Sequence, residues 1–192
     1  IGFKVIGYEG SIYRLEKDGQ RIILVTYVDD IQMLYHKDHE DLANSIVKTF
    51  NDKFEITDEG DLTWHLGIHY IRDRANRTTF LSQQKYVETI LERFGYLDLN
   101  PVRTPAESDL KMFKAPDDEL LSPEEASLYR EQLGCLQYLA SMTRPDLSYI
   151  VGQLARYMQN PGTQQATALK RVFRYVNGTR DRGLTFRAGT PS

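Results

Sequence analysis

The stretch whose reading decides the fold is Arg21–His36, RIILVTYVDDIQMLYH. Ile22 to Val28 is a nearly unbroken apolar run rich in β-branched residues. Ile31 to Tyr35 is a second one, interrupted only by Gln32. Both are too short for helices and read as buried strands. Asp29 and Asp30 therefore sit where two apolar strands meet, at the tip of a tight hairpin. Asp tolerates the positive φ that such a tip requires. Two readings of the pair stand side by side: a polar turn and nothing more, or a divalent-metal site. Two carboxylates on a rigid sheet offer hard oxygen ligands, and Mg²⁺ usually takes only one or two of these, filling its shell with water and substrate phosphate.

Working outward, Ile12 to Glu16 is a strand joined to Ile22–Val28 through Lys17-Asp18-Gly19-Gln20, and Asp-Gly between apolar runs signals a hairpin. The expected result is a three-stranded antiparallel meander with the strand leading to the carboxylates in its middle. Asp38 opens a helix, with Asp41 as a capping-box-like partner. Leu42, Ile46, Val47, Phe50 and Phe54 recur at helical spacing and form its inward stripe. Leu62 to Ile71 (LTWHLGIHYI) and Thr78 to Leu81 read as a further hairpin, with Gly67 marking a bulge or a close backbone approach. His65 and His69, four apart in one strand, would stand roughly 13 Å apart, which argues against a shared metal. Ser82 caps a helix whose apolar face is Tyr86, Val87, Ile90, Leu91 and Phe94, and Gly95 stops it. Leu97 to Leu121, with three prolines, is an extended and partly mobile connection. Ser122-Pro123-Glu124-Glu125 is a strong helix start. Two more helices follow, from Pro145-Asp146 and from Thr163, the last bearing Lys170, Arg171 and Arg174 opposite its apolar stripe.

The fold class expected is α+β, an antiparallel sheet with a packed helix followed by a helical bundle. The boundaries expected are 1–81, 82–121 and 122–192. The 192 residues suffice for a real core, and no apolar run approaches the ~18 residues of a membrane helix. Cys135 is the sole cysteine, so no internal disulfide forms, and a reducing compartment fits. With no secretory signal visible, an intracellular location, cytoplasmic or nuclear, and no membrane partner are expected. The sequence opens on Ile1 rather than Met and is expected to be a piece of a longer polypeptide. The net charge of −3 hides a split: residues 1–125 carry a net −9 and residues 126–192 a net +6. Such asymmetry suits a basic module for nucleic acid joined to an acidic one, or simply a solvated face.

Tyr27-Val28-Asp29-Asp30 between apolar strands resembles the catalytic motif of reverse transcriptases. LVTYVDDI (24–31), WHLGI (64–68), LSQQKYVETILERFG (81–95), PVRTP (101–105), YREQLGCLQYL (129–139), TRPDLSY (143–149) and LKRVFRYVNG (169–178) extend the likeness over almost the whole chain. Together, in order and spacing, they resemble the second half of a copia-type LTR-retrotransposon reverse transcriptase.

The resemblance implies a palm carrying Asp29 and Asp30 as catalytic metal ligands for two Mg²⁺ ions, with Mn²⁺ as the alternative. It implies a primer grip at Trp64, His65, Leu66, Gly67 and Ile68, and Tyr27 supporting the primer terminus. It implies a thumb over 122–178 whose Lys170, Arg171 and Arg174 meet the backbone of an RNA–DNA hybrid. The partners implied are RNA template, DNA primer and dNTP. Also implied are fingers and a third catalytic Asp upstream and an RNase H domain downstream. The family's Lys near position 57 is Thr57 here, which leaves a general acid unassigned. Residues 1–192 alone are expected to be inactive and to self-associate through an unpaired palm strand. The alternative is a non-catalytic remnant or host-adopted protein that binds nucleic acid or a partner.

Overall fold

The computed structural model describes residues 2–8 and 10–189. They fall into two compact units, Ile1–Leu62 and Thr63–Ser192.

The first unit is a four-stranded antiparallel sheet in sequential order: β1 (Lys4–Val5), β2 (Ile12–Lys17), β3 (Gln20–Tyr27) and β4 (Asp30–Tyr35). The expected meander is present, with β1 added outside it. Asp18 and Gly19 form the β2–β3 turn with φ of 51° and 77°, the two left-handed residues of a type I′ hairpin. Register then fixes the faces. Leu15 opposes Ile22 and Ile22 opposes Tyr35, while Leu24 opposes Met33. Period-two alternation puts these side chains on one face. Leu15, Ile22 and Leu24 are buried there with Ala43 and Ile46 of α1 (Glu40–Asn51), flanked by Leu42, Met33 and Phe50.

Two expectations fail at the ends of α1. Asp38 does not cap it. It lies in a 3₁₀ turn, Lys37–His39, and its backbone N–H donates to His36 Nδ1 at 3.3 Å. His36 caps the 3₁₀ turn, and α1 itself starts after His39 with no side-chain cap. Phe54 falls beyond the last helical residue and is 62% exposed, because the helix stops at Asn51 and the stripe stops with it.

The second unit holds a second four-stranded antiparallel sheet, β5 (Trp64–His65), β6 (Ile68–Asp73), β7 (Thr78–Ser82) and β8 (Gly183–Arg187), again in sequential order. Its helices are α2 (Gln84–Arg93), α3 (Pro123–Met142), α4 (Ser148–Ala155) and α5 (Thr163–Asn177). Their apolar stripes meet in one core that includes Val87, Leu91, Leu133, Leu136, Leu154, Val172 and Phe173. The start of α3 is as read. Ser122 Oγ accepts from the Glu125 N–H, and Glu125 reaches back to the Ser122 N–H at 2.9 Å. The overall class is α+β, and no helix among the described residues is long and apolar enough to cross a membrane.

Strand β8 was not read from the sequence. Its five residues, GLTFR, are half-buried or exposed and carry no clear alternation. It exists because Gly183 lets it dock: a Cβ there would lie 2.0 Å from the Leu81 carbonyl oxygen, inside any allowed contact.

The connection 97–121 packs on the helical core along much of its length. Val102, Ala106, Leu110, Met112 and Leu121 pack on the helical core. Its carbonyls are taken up by side chains: Asn177 Nδ2 donates to Leu97 O (3.1 Å) and Leu99 O (2.9 Å), and Gln164 and Gln165 donate to Lys111 O and Phe113 O. Side chains of α5 thus take up several of the carbonyls of a strap that has no long helix or strand of its own.

Candidate functional site

The carboxylate pair sits on a two-residue hairpin. Tyr27 opposes Asp30 as the last β3–β4 pair, so the loop is Val28-Asp29 rather than Asp29-Asp30. The residue in the left-handed region is Val28, at φ 52°, while Asp29 is not. Positive φ at the first loop position only is the sign pattern of a type II′ turn, where glycine is the usual occupant. A β-branched residue there is a genuine outlier. The sequence expectation that an Asp would absorb the strain is therefore shifted by one position. The consequence for the site is concrete: Asp30 starts β4 and is held by the ladder, and Asp29 projects from the loop beside it. Tyr27, Asp29 and Asp30 are all exposed at this tip.

Among the described residues, no three His, Cys, Asp or Glu side chains gather closely enough to hold a metal ion. The adjacent carboxylates of Asp29 and Asp30 are nonetheless hard oxygen donors on a rigid hairpin, the donor chemistry an Mg²⁺ ion accepts as part of its shell.

In the second unit, the stretch read as one strand is itself a tight hairpin. His65 pairs with Ile68 and Trp64 with His69, across a turn made by Leu66 (φ 49°) and Gly67 (φ 71°). Leu66 takes the first left-handed position of a type I′ turn, which Asn, Asp or Gly normally fills. His65 and His69 thus lie on opposite strands. The Trp64 and His69 rings stack at 4.4 Å with 5° between planes, and Lys85 Nζ of α2 stands 5.8 Å from the indole centre. Trp64 stays 48% and Leu66 39% exposed, so the hairpin presents apolar surface beside a cation. Tyr138 of α3 donates its hydroxyl to the Leu66 carbonyl, and Tyr86 meets the Tyr138 ring edge-on at 5.1 Å. Burial pushes the Tyr86 phenol up, and a hydrogen bond with Cys135 adds to this.

Lys170, Arg171 and Arg174 do share one side of α5. Lys170 is exposed. Arg171 pairs with Glu107 at 3.2 Å and donates to Thr104 Oγ1 at 3.1 Å. Arg174 Nε donates to Asn100 O at 2.7 Å. Both arginines hold the 97–121 strap, and the Arg171 Nε is buried without a hydrogen-bond partner among the described residues. Nothing in the sequence places His69, Lys85, Tyr86 and Tyr138 beside this turn. They became visible as neighbours of the hairpin only once its turn was placed at Leu66–Gly67.

Two exposed adjacent carboxylates on one hairpin and a stacked indole on a second are the chain's candidate site. Residues 1–108 match the family described as Reverse transcriptase (RNA-dependent DNA polymerase), and the chain belongs to that family. The retrovirus-related Pol polyprotein of transposon RE2 from Arabidopsis thaliana is 35% identical over 98% of this chain. That of transposon TNT 1-94 from Nicotiana tabacum is 34% identical over 88%. These relatives bear out the copia-type reading of the motifs. The chain spans about an eighth of their length, 12% and 13% respectively. An uncharacterized mitochondrial protein of Arabidopsis thaliana is 37% identical over 84% of the chain, which covers 63% of that protein. No solved structure matches.

Proposed function

We propose that the chain supplies the carboxylate hairpin, primer-contacting hairpin and helical subdomain of an RNA-directed DNA polymerase encoded by a copia-type element. The observation that carries this reading is the Val28-Asp29 loop. It sets two adjacent carboxylates, exposed, at the end of a sheet that packing on α1 makes rigid. Asp29 and Asp30 are the residues that would hold Mg²⁺, with Mn²⁺ as a substitute. Bound there, the ions would activate the primer's attacking hydroxyl and neutralise the leaving pyrophosphate. Asp30, fixed by the ladder, sets the position of the site, and Asp29 adds the second charge. Tyr27, across from Asp30, lines the approach of the primer end. In the second unit, Trp64, His65, Leu66 and Gly67 offer an indole face and a side-chain-free approach to a nucleic-acid backbone. Exposed Lys170, with the charges of Arg171 and Arg174 on the same side of α5, adds sequence-independent attraction to phosphate. The partners are then an RNA template, a DNA primer and dNTP.

Since no third acidic ligand joins Asp29 and Asp30 among the described residues, a polypeptide of residues 1–192 is expected not to extend a primer by itself. The test is extension of a primed RNA template, with Mg²⁺, by this polypeptide alone and with the upstream part of a related polymerase added in trans. Extension only in the mixture, abolished by Asp29→Asn or Asp30→Asn, supports the reading. Absence of extension in both favours a non-catalytic remnant or host-adopted binding protein. The short mitochondrial relative, of which this chain covers 63%, gives that second reading its support.

A further inference from the structure

The Leu66–Gly67 turn has an unusual occupant and an unusual support. Leu66 adopts φ 49°, a region that L-residues with a γ-branched side chain leave unless something holds them there. Leu66 is 39% exposed, so burial of its own side chain supplies little of that hold. The Leu66 carbonyl is engaged by the hydroxyl of Tyr138, from the middle of α3, 72 residues away. The Tyr138 ring is in turn fixed by the edge of Tyr86 on α2. The preceding residue of α2, Lys85, stands over Trp64 on the first arm of the same hairpin. The hairpin is thus gripped at its turn by α3 and at its arm by α2.

We propose that Tyr138 is a positioning residue: its hydroxyl, with Tyr86 behind it, holds the Leu66–Gly67 turn in its left-handed conformation, so that the hairpin follows the α2–α3 pair. Its meaning for primer handling rests on the function proposed above; the coupling itself does not. Tyr138 touches no reacting group. It acts through the Leu66 carbonyl, and the geometry of Trp64 is what it controls.

Trp64 is the only tryptophan of the chain, so its emission reports the hairpin directly. A second reporter is the Tyr70 amide, which donates to Thr63 O at 2.8 Å and opens when the first arm detaches. Tyr138→Phe is expected to make Trp64 more accessible to acrylamide and to speed Tyr70 exchange about fivefold, the ratio one lost hydrogen bond carries. The midpoint of helix melting should move little. Unchanged quenching and unchanged Tyr70 exchange would overturn the proposal. Leu66→Gly guards against a general folding defect, because glycine takes the left-handed turn unaided. In that background Tyr138→Phe should alter both reporters by less than about twofold; an effect as large as in the parent chain would also overturn it. Titration with an RNA–DNA hybrid separates the two claims. If Tyr138→Phe moves the Trp64 reporters and weakens hybrid binding several-fold without altering its salt slope, both stand, since no charge is removed. If the reporters move and hybrid binding is absent in either form, positioning stands and the primer-contacting role falls.

Discussion

Replacing Val28 tests how the carboxylate hairpin is held. Val28 is 87% exposed, so truncating its side chain forfeits almost no buried surface. Its φ of 52° costs a β-branched residue about 1–3 kcal/mol. Glycine removes that cost but adds about 0.4–1 kcal/mol of unfolded-chain entropy. Val28→Gly should therefore stabilise the first unit by about 1 kcal/mol, and Val28→Asn, which tolerates the left-handed region without the glycine penalty, by at least as much. Amide exchange along β3 and β4 reports this change, and 1 kcal/mol corresponds to about fivefold slower exchange where opening is local. Asp29→Asn is the control: position 29 is not left-handed, and the same gain there would point to relief of charge rather than of strain. Faster exchange in both Val28 variants would refute the argument, because it would mean the valine side chain stabilises the turn.

Three further outcomes are expected. Arg144 is 2% exposed and forms a bidentate pair with Asp146, which also accepts from Tyr175. Burial pushes the Asp146 carboxyl up, but hydrogen bonds from Arg144 and Tyr175 and the Arg144 charge outweigh it and hold it below the usual carboxylate range. Its contribution to stability is thus full above the unfolded value of ~3.9 and is lost as pH falls through the lower folded value. Asp146→Asn should cost about 3 kcal/mol in urea melts at neutral pH by leaving a buried guanidinium unpaired, with the deficit shrinking on acidification; a deficit that grows in acid would contradict this. Lys170→Gln should lower the slope of log affinity for hybrid against log salt by about one. Arg174→Gln should do so and also loosen the strap held through Asn100 O, seen as proteolysis within 97–121; an unchanged slope in both removes α5 from the interface. Light scattering should find dimers or larger species that persist at high salt, because β4 is an edge strand with Ile31, Leu34 and Tyr35 exposed and such edges invite pairing; a monomer in low and high salt argues against an open edge.

Much of the fold was legible because its local signals agree with its tertiary contacts. The 22–35 hairpin, the Asp-Gly turn and the Ser122 capping box each carry their reason within a few residues. What escaped reading depends on distant partners. Strand β8 has no pattern of its own and is defined by a glycine that fits beneath Leu81 and Phe80. The strap 97–121 looked mobile because prolines and acidic residues dominate it. Its carbonyls are taken up by glutamine and asparagine side chains more than 50 residues on. Arg171 and Arg174 looked like a free basic face for the same reason: nothing near them in sequence announces Glu107 or Asn100 as partners.

The three tight hairpins form a graded series. Asp18-Gly19 uses the residues its turn prefers and has no role assigned to it. Leu66-Gly67 has one favourable residue of two. Val28-Asp29 places a β-branched side chain in the one position that needs positive φ. Turn chemistry thus worsens from the ordinary hairpin to the one that carries the carboxylates. The two poorer turns were also the two misplaced from sequence, since each lacks the residues by which such turns are recognised. The strain has to be offset by what surrounds it: the β3–β4 ladder and α1 in the first case, Tyr138 in the second. Arg77, at φ 53° in the turn before β7, shows that positive φ outside glycine is not confined to these two hairpins. Glycine at position 28 would take the positive φ without the β-branched cost, so Val28 marks where the carboxylate hairpin bears strain.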